Sequence, residues 1–495
     1  MAEPALALTS ARLPGWDGLW DVVLGGGLIR GIVPSHRVPV RPEVEVVDLD
    51  GRYLLPGLWD EHVHFTQWAL YRSRIELGAA RTAAGTAALV ADRIRSSEPP
   101  AAGPVIGVGF RDALWPDEPT QALLDDAAQG GEVVLFSADL HCVWVSSAAA
   151  LRMGIPTGAD GIAREAPAFA AQDAVNSLPD AQLDALVRQA ADAAVRRGVV
   201  GIVDFEMGGS LDDWRRRADA ARLPFRVEAS VYPAGLDDVL ASDLVPGTPL
   251  DADELLSLRY LKVIIDGSLN TRTAYCRDDY AGLPGSDPGH GVLAVPPSEL
   301  TGLLRRAVAF GLTPAVHAIG DEANTVALDV FASLGSHGRI EHAQLLADSD
   351  LPRFGRLGVI ASVQPRHAPD DRDAAERLWP GRTGRAFPLR RLLDSGATLA
   401  FGSDAPVSAL DPWVQASAAV YRTSDERPAW HPEQRVTFAE ALAASTRGRS
   451  TLLAGEPADL VVVDQDPFEA GGAAELAATP VAGTVVAGRV SYRGF

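Results

Sequence analysis

The chain has 495 residues, 47% of them hydrophobic and 22% charged, with a formal net charge of −21. That balance is too apolar for a disordered chain, and an acidic field repels phosphate backbones and anionic lipid, so nucleic acid and membrane surfaces are poor partners. Two cysteines, Cys142 and Cys276, rule out a disulfide framework and a cysteine-based zinc site. No apolar run approaches the ~18–20 residues needed to cross a bilayer. The opening stretch MAEPALALTSARLPGWDG lacks a basic head followed by an apolar core, so a soluble cytoplasmic protein is expected.

The first segments read as short strands: ALALTSARL, WDVVLGGGLIRGIV and VEVVDLDGRYLLPG. The end of the chain reads the same way, in ADLVVVDQD and GTVVAGRVSYRGF, with Gly and Pro as punctuation. Neither end is large enough for a stable β domain alone. Residues 1–56 and 447–495 are therefore expected to form one small composite β-sandwich, with residues 57–446 between them as a separate α/β domain.

That middle region alternates helical patterns with short apolar runs. In LDALVRQAADAAVRRG, Leu183, Leu186, Val187, Ala190 and Ala194 share a helical face, and Gly198 is placed to end the helix before VVGIVDF. In SELTGLLRRAVAFG, Ser298 is placed to cap the start and Gly311 the end. Repeated helix–Gly–strand units argue for a parallel sheet. The strand candidates lie at 57–65, 199–205, 225–231, 258–266, 313–319, 338–343, 358–364 and 398–404, the eight that a closed (β/α)8 TIM-like barrel needs. PVIGVGF and EVVLFSA, within about 65–198, belong on this reading to an insertion after the first strand, where a lid over the catalytic mouth would sit.

Several chemistry-bearing residues fall on strand ends. His62 and His64, two apart, point to one face of the first strand. His317 closes the fifth run, His342 the sixth and Asp404 the eighth, and Lys262 lies in the fourth. Six potential ligands thus converge on the rim where barrel active sites form, and neutral imidazoles with carboxylates suit zinc or similar divalent ions. Lys262 is also the single lysine among 44 basic residues. A GC-rich genome accounts for the arginine bias but not for one lysine kept in the apolar run RYLKVIID. Arginine cannot replace lysine where a free, deprotonated amine is required.

The segments GLWDEHVHF, KVIIDGSLNTRTA, HAIGD, RIEHAQ, SVQPRHAPDD and GSDAPV together resemble the amidohydrolase superfamily. More closely, they resemble its amidohydrolase 3, or YtcJ-like, branch, which includes N-substituted formamide deformylases. GEPADLVVVDQDP near the C-terminus and DLHCVWVSSAA in the insertion are similar to that branch as well, although TGADGIAREAPAF is more compact than the glycine-rich stretch usual there. The resemblance implies a barrel with one or two divalent metals, usually zinc. His62 and His64 would bind the more buried ion, and His317 and His342 the second. Lys262 would be carboxylated by CO2 and bridge both. Asp404 would touch the first ion and shuttle protons. The implied reaction is hydrolysis of a C–N bond (amide, N-acyl or N-formyl) of a small molecule by metal-bound hydroxide, with Asp404, His342 and Lys262 as its catalytic residues. Deamination, ester hydrolysis or a lyase reaction such as decarboxylation on the same metals is the alternative. A non-catalytic assembly protein is a third reading, opposed by the complete ligand set.

Other residues have two readings each. Asp139 and His141 either reach the substrate or brace the insertion. His367 and Asp371, after the seventh strand, either line the mouth or pack there. Arg272 either binds a carboxylate or pairs with Asp266 or Asp278. Asp321 is expected to cap a helix. Trp115, Trp144 and Trp379 either form an apolar substrate wall or pack in the core. His36, His290, His337 and His431 read as surface residues. A homodimer, the commonest soluble assembly, is the default oligomer.

Overall fold

The structure is a computed structural model that describes residues 6–35, 44–96, 103–110, 115–137, 142–164, 166–176, 178–282 and 289–495. The chain divides into two compact units, residues 1–65 with 191–495, and residues 66–190.

Eight strands form one parallel sheet in chain order: β1 Leu58–Val63, β2 Val199–Asp204, β3 Arg226–Val231, β4 Leu256–Ile264, β5 Thr313–Ala318, β6 Gly338–His342, β7 Val359–Val363 and β8 Leu399–Phe401. They coincide with the eight runs expected from sequence, and the fold is the expected α/β barrel. Their hydrophobic continuity has a physical cause, because strands of a parallel sheet with helices outside are buried on both faces. Thus β1 and β2 are buried at every position. The first and last strands close the ring just past their ends. Val63 bridges Ala405 in parallel register, the His64 amide donates to Ala405 O at 2.9 Å, and the Asp404 amide donates to His62 O at 2.7 Å. Gly402 permits this approach, since a Cβ there would lie 2.5 Å from the His62 backbone nitrogen. The seam of the barrel therefore brings His62, His64 and Asp404 together.

Both chain ends contribute to a pair of four-stranded sheets. One has the order Leu28–Pro34, Trp20–Gly25, Leu6–Ala11, Glu45–Asp48; the other has Arg489–Arg493, Val481–Val486, Leu460–Val463, Tyr53–Pro56. Leu8, Leu24, Ile29, Leu54, Leu460 and Val462 belong to one shared core, so neither end buries its apolar face alone.

Residues 66–190 have their own core around a five-stranded sheet, which includes Val105–Phe110 and Val133–Ser137 from the two extra apolar runs. Among the described residues, no helix is long and apolar enough to cross a membrane. One helix start differs from expectation. The helix Pro297–Phe310 begins before Ser298, and Pro296 occupies the cap position without a side-chain bond. Proline's fixed φ suits the first helical turn, which places Ser298 inside the helix instead of at its cap. Gly311 ends it as expected, in the left-handed region at φ 99°.

Candidate functional site

The six sequence-derived residues meet at the C-terminal end of the barrel. His62 Nε2 and His64 Nε2 lie 3.5 and 3.4 Å from the same oxygen, Asp404 Oδ1. Lys262 Nζ is 3.3 Å from His62 Nε2. The His342 ring centroid is 5.0 Å from that of His62 and 4.3 Å from that of His317. His342 and Asp404 both hold positive φ, 72° and 56°, a conformation that costs a non-glycine residue energy and clusters at functional sites.

Neighbouring groups fix which nitrogen of His62 and of His317 is free. His62 Nδ1 donates to Glu341 Oε2 at 2.6 Å, which leaves Nε2 with its lone pair facing Lys262 and Asp404. His317 does the reverse. Its Nε2 donates to the carbonyl of Gly267 at 3.3 Å, so Nδ1 is the free atom.

Burial favours the uncharged form at His62, His317 and His342 and draws the Lys262 amine toward it. Burial first, then the Lys262 charge, pushes His62 down to about 4 and His317 down to about 3. Burial and the adjacent His317 hold His342 well below the usual histidine range. Lys262 is only 1% exposed; burial lowers it to about 8 against the opposing pull of Glu341 and Asp404. Its Nζ sits 4.1 Å over the Phe205 ring, an apolar floor. Burial would raise Asp404, but the His64 hydrogen bond and the neighbouring His62, His342 and His367 outweigh it and hold the carboxylate well below its usual range.

These observations fit a divalent cation. Metal–nitrogen distances near 2.0–2.1 Å in a tetrahedron imply donor–donor edges of about 3.3–3.5 Å, the spacing found around Asp404 Oδ1. His64 Nδ1 and His342 Nδ1 are buried without a hydrogen-bond partner among the described residues. His62, His64 and Asp404 form one three-donor group, and His342, His367 and Asp404 a second that shares the carboxylate.

A buried ionic chain behind His62 went unread in the sequence. Glu341 Oε1 accepts from Arg339 Nε at 2.6 Å, and Arg339 Nη1 donates to Glu61 Oε2 at 2.8 Å. Arg447 Nε donates to the other Glu61 oxygen at 2.7 Å and holds Glu228 through two further bonds. Burial opposes ionisation of Glu341, but Arg339, His62 and Lys262 hold it far below the usual carboxylate range. Arg339 and Glu341, two apart in RIEH, were the available signal, since on a strand they share a face.

The remaining candidates disperse. Asp139 and His141 lie outside the described residues, as does His36. Trp115 packs against Phe110 and Trp144 within residues 66–190, and Trp379 is fully buried against Tyr280. Arg272 is exposed, with φ 57°, and makes no ion pair among the described residues. Asp266 is instead used by the backbone amides of Tyr275, Ile319 and Gly320. Asp371 accepts from Asn270 at 2.8 Å and from Gln344 at 3.5 Å, tying the loops after β4 and β6 together. Asp321 opens a helix as expected, but Gly320 is the cap; its carboxylate serves the Arg277 amide and Arg385. His431 is half-buried and bonded to Glu433, whereas His337 is exposed.

Barrel and site together define a (β/α)8 protein with a candidate metal centre at the C-terminal end of its strands. The family model described as "Amidohydrolase family" matches residues 45–492, and the chain belongs to that family. It is 29% identical to the protein LONG AFTER FAR-RED 3 of Arabidopsis thaliana, covering 88% of this chain and 82% of that one. Identity is 26% to the putative amidohydrolase YtcJ of Bacillus subtilis, over 95% of each chain. For the N-substituted formamide deformylase of Arthrobacter pascens it is 25%, over 95% of this chain and 94% of that one. The crystal structure of an uncharacterized metal-dependent hydrolase from Pyrococcus furiosus superposes with a TM-score of 0.77 at 25% identity, over 94% of this chain and 100% of the other.

Proposed function

We propose that the protein hydrolyses the C–N bond of a small-molecule amide, N-acyl or N-formyl compound with two divalent ions, zinc first among them. The observation that carries this is the convergence of His62, His64 and Asp404 at tetrahedral edge lengths, with Lys262, His317 and His342 adjoining. The similarity to an N-substituted formamide deformylase supports the C–N assignment.

His62 and His64 would hold one ion, His317 and His342 the other, with Asp404 touching the first. The buried Lys262 amine would add CO2, forming an N–C bond and releasing a proton, to give an anionic two-oxygen bridge that arginine cannot supply. When bound, the ions would acidify a water and polarise the scissile carbonyl. Asp404 takes the proton of the attacking water and passes it to the departing nitrogen. Glu341, through His62 Nδ1, keeps Nε2 aimed at the site. No side chain forms a covalent bond to the substrate.

The test is a panel of N-acyl and N-formyl amines offered to zinc-loaded protein. Stoichiometric release of amine and carboxylic acid is expected. Ammonia release, ester cleavage alone or CO2 loss would replace this reading with another reaction.

A further inference from the structure

His367 has no task in the mechanism above, yet it is built into the site. It begins the helix His367–Leu378 after β7, whereas the ligand histidines lie at or just past strand ends. The residue is 8% exposed, and its Nε2 is buried without a hydrogen-bond partner among the described residues. Asp404 Oδ2 lies 3.9 Å from that nitrogen. Its ring stacks nearly parallel to that of His342, at 6.3 Å and 11°.

That 3.9 Å separation differs from the 3.4 and 3.5 Å contacts of Asp404 Oδ1. It exceeds the tetrahedral edge of about 3.3–3.5 Å expected for two ligands of one zinc ion. It is what two hydrogen bonds of about 2.8 Å produce when they meet at one atom at roughly a right angle. The two oxygens of Asp404 thus divide their work, Oδ1 toward His62 and His64, Oδ2 toward the gap before His367. An ionised carboxylate only accepts hydrogen bonds. Once Asp404 has taken a proton from the water it donates that proton instead, and an ester oxygen in the gap would offer His367 no hydrogen. A nitrogen with one N–H for His367 and an electron pair for the returning proton suits both walls.

We propose that Asp404 Oδ2 and His367 Nε2 form the seat of the scissile nitrogen, with His367 accepting the amide N–H, so that the enzyme selects secondary amides over tertiary amides and esters. This deepens the hydrolase reading and rests on it. Water oxygen bonds to the carbonyl carbon and the C–N bond breaks, its electron pair going to nitrogen. Nitrogen takes from Asp404 the proton that Asp404 removed from the water. The amine leaves with two hydrogens, one from Asp404 and the original one still directed at His367.

The experiment compares zinc-loaded wild type, His367→Ala and His367→Gln on 4-nitroacetanilide, its N-methyl derivative and 4-nitrophenyl acetate. Zinc per chain, and the binding of aniline against N,N-dimethylaniline by calorimetry, are measured in parallel. One hydrogen bond to an otherwise unsatisfied buried partner is expected to give wild type a preference of about 10- to 100-fold for the N–H amide over its N-methyl derivative. The preference should collapse in His367→Ala at unchanged zinc content, and aniline should lose its binding advantage over dimethylaniline. His367→Gln, whose side-chain oxygen restores an acceptor, should recover part of both. A preference that survives in His367→Ala overturns the proposal, as does an equal loss on amide and ester, or loss of zinc, which would make His367 a ligand. Amide turnover with unaltered selectivity sinks this inference alone; absence of both amide turnover and aniline binding in wild type sinks it together with the hydrolase reading.

Discussion

Asp404→Asn is expected to lower kcat for amide hydrolysis by roughly 10²- to 10⁴-fold, the range supplied by a positioned general acid–base group. The asparagine keeps the size of the side chain, and one oxygen can still face His62 Nε2 and His64 Nε2, which lie within 3.5 Å of Oδ1 in the native protein. What it loses is the ability to take a proton and return it. Asparagine cannot ionise, whereas the aspartate is held below the usual carboxylate range by its histidine neighbours despite burial. KM is expected to change less than kcat, because proton transfer belongs to the transition state. Steady-state kinetics with metal content measured on the same preparation check this. Near-full turnover by a fully metal-loaded Asp404→Asn protein would remove Asp404 from the mechanism.

The second large effect is on stability. Arg339→Met deletes the cation between Glu61 and Glu341, carboxylates that are 3% and 0% exposed. Arg447 still serves Glu61, so the loss falls chiefly on Glu341. Removing one partner from a buried pair leaves an uncompensated charge and costs about 3–5 kcal/mol. The denaturation midpoint of the metal-free protein is expected to fall accordingly. Adding Glu341→Gln should recover part of the loss, because it removes the stranded charge. An Arg339→Met protein as stable as wild type would mean the chain of ion pairs contributes nothing to the fold.

The barrel was legible because its strands are buried on both faces, and burial on both faces writes continuous apolar runs into the sequence. The spacing of His62 and His64 was legible for a similar reason, since a strand repeats every two residues. Other features depend on geometry that no local pattern carries. Arg339 and Glu341 interrupt an apolar strand, and Arg339's other partner, Glu61, lies 278 residues away along the chain. Simple alternation puts Glu341 and His342 on opposite faces, yet both reach His62, through a 2.6 Å hydrogen bond and a 5.0 Å ring contact. The positive φ of His342, at the strand's end, turns the backbone enough to allow it. His367 was a candidate only through its place after the seventh strand, with no spacing signal of its own, because it reaches the site from the start of a helix. Ser298 misled for a local reason: Pro297 already supplies the helical φ that starts the turn.

The central claim is that Lys262 completes a two-ion site. Elemental analysis of protein purified without chelator, beside Lys262→Ala prepared in the same way, tests it most directly. The account predicts close to two divalent ions per chain, falling sharply in Lys262→Ala. Two ions retained in Lys262→Ala, or wild-type protein that turns over amides with no metal bound, would contradict it.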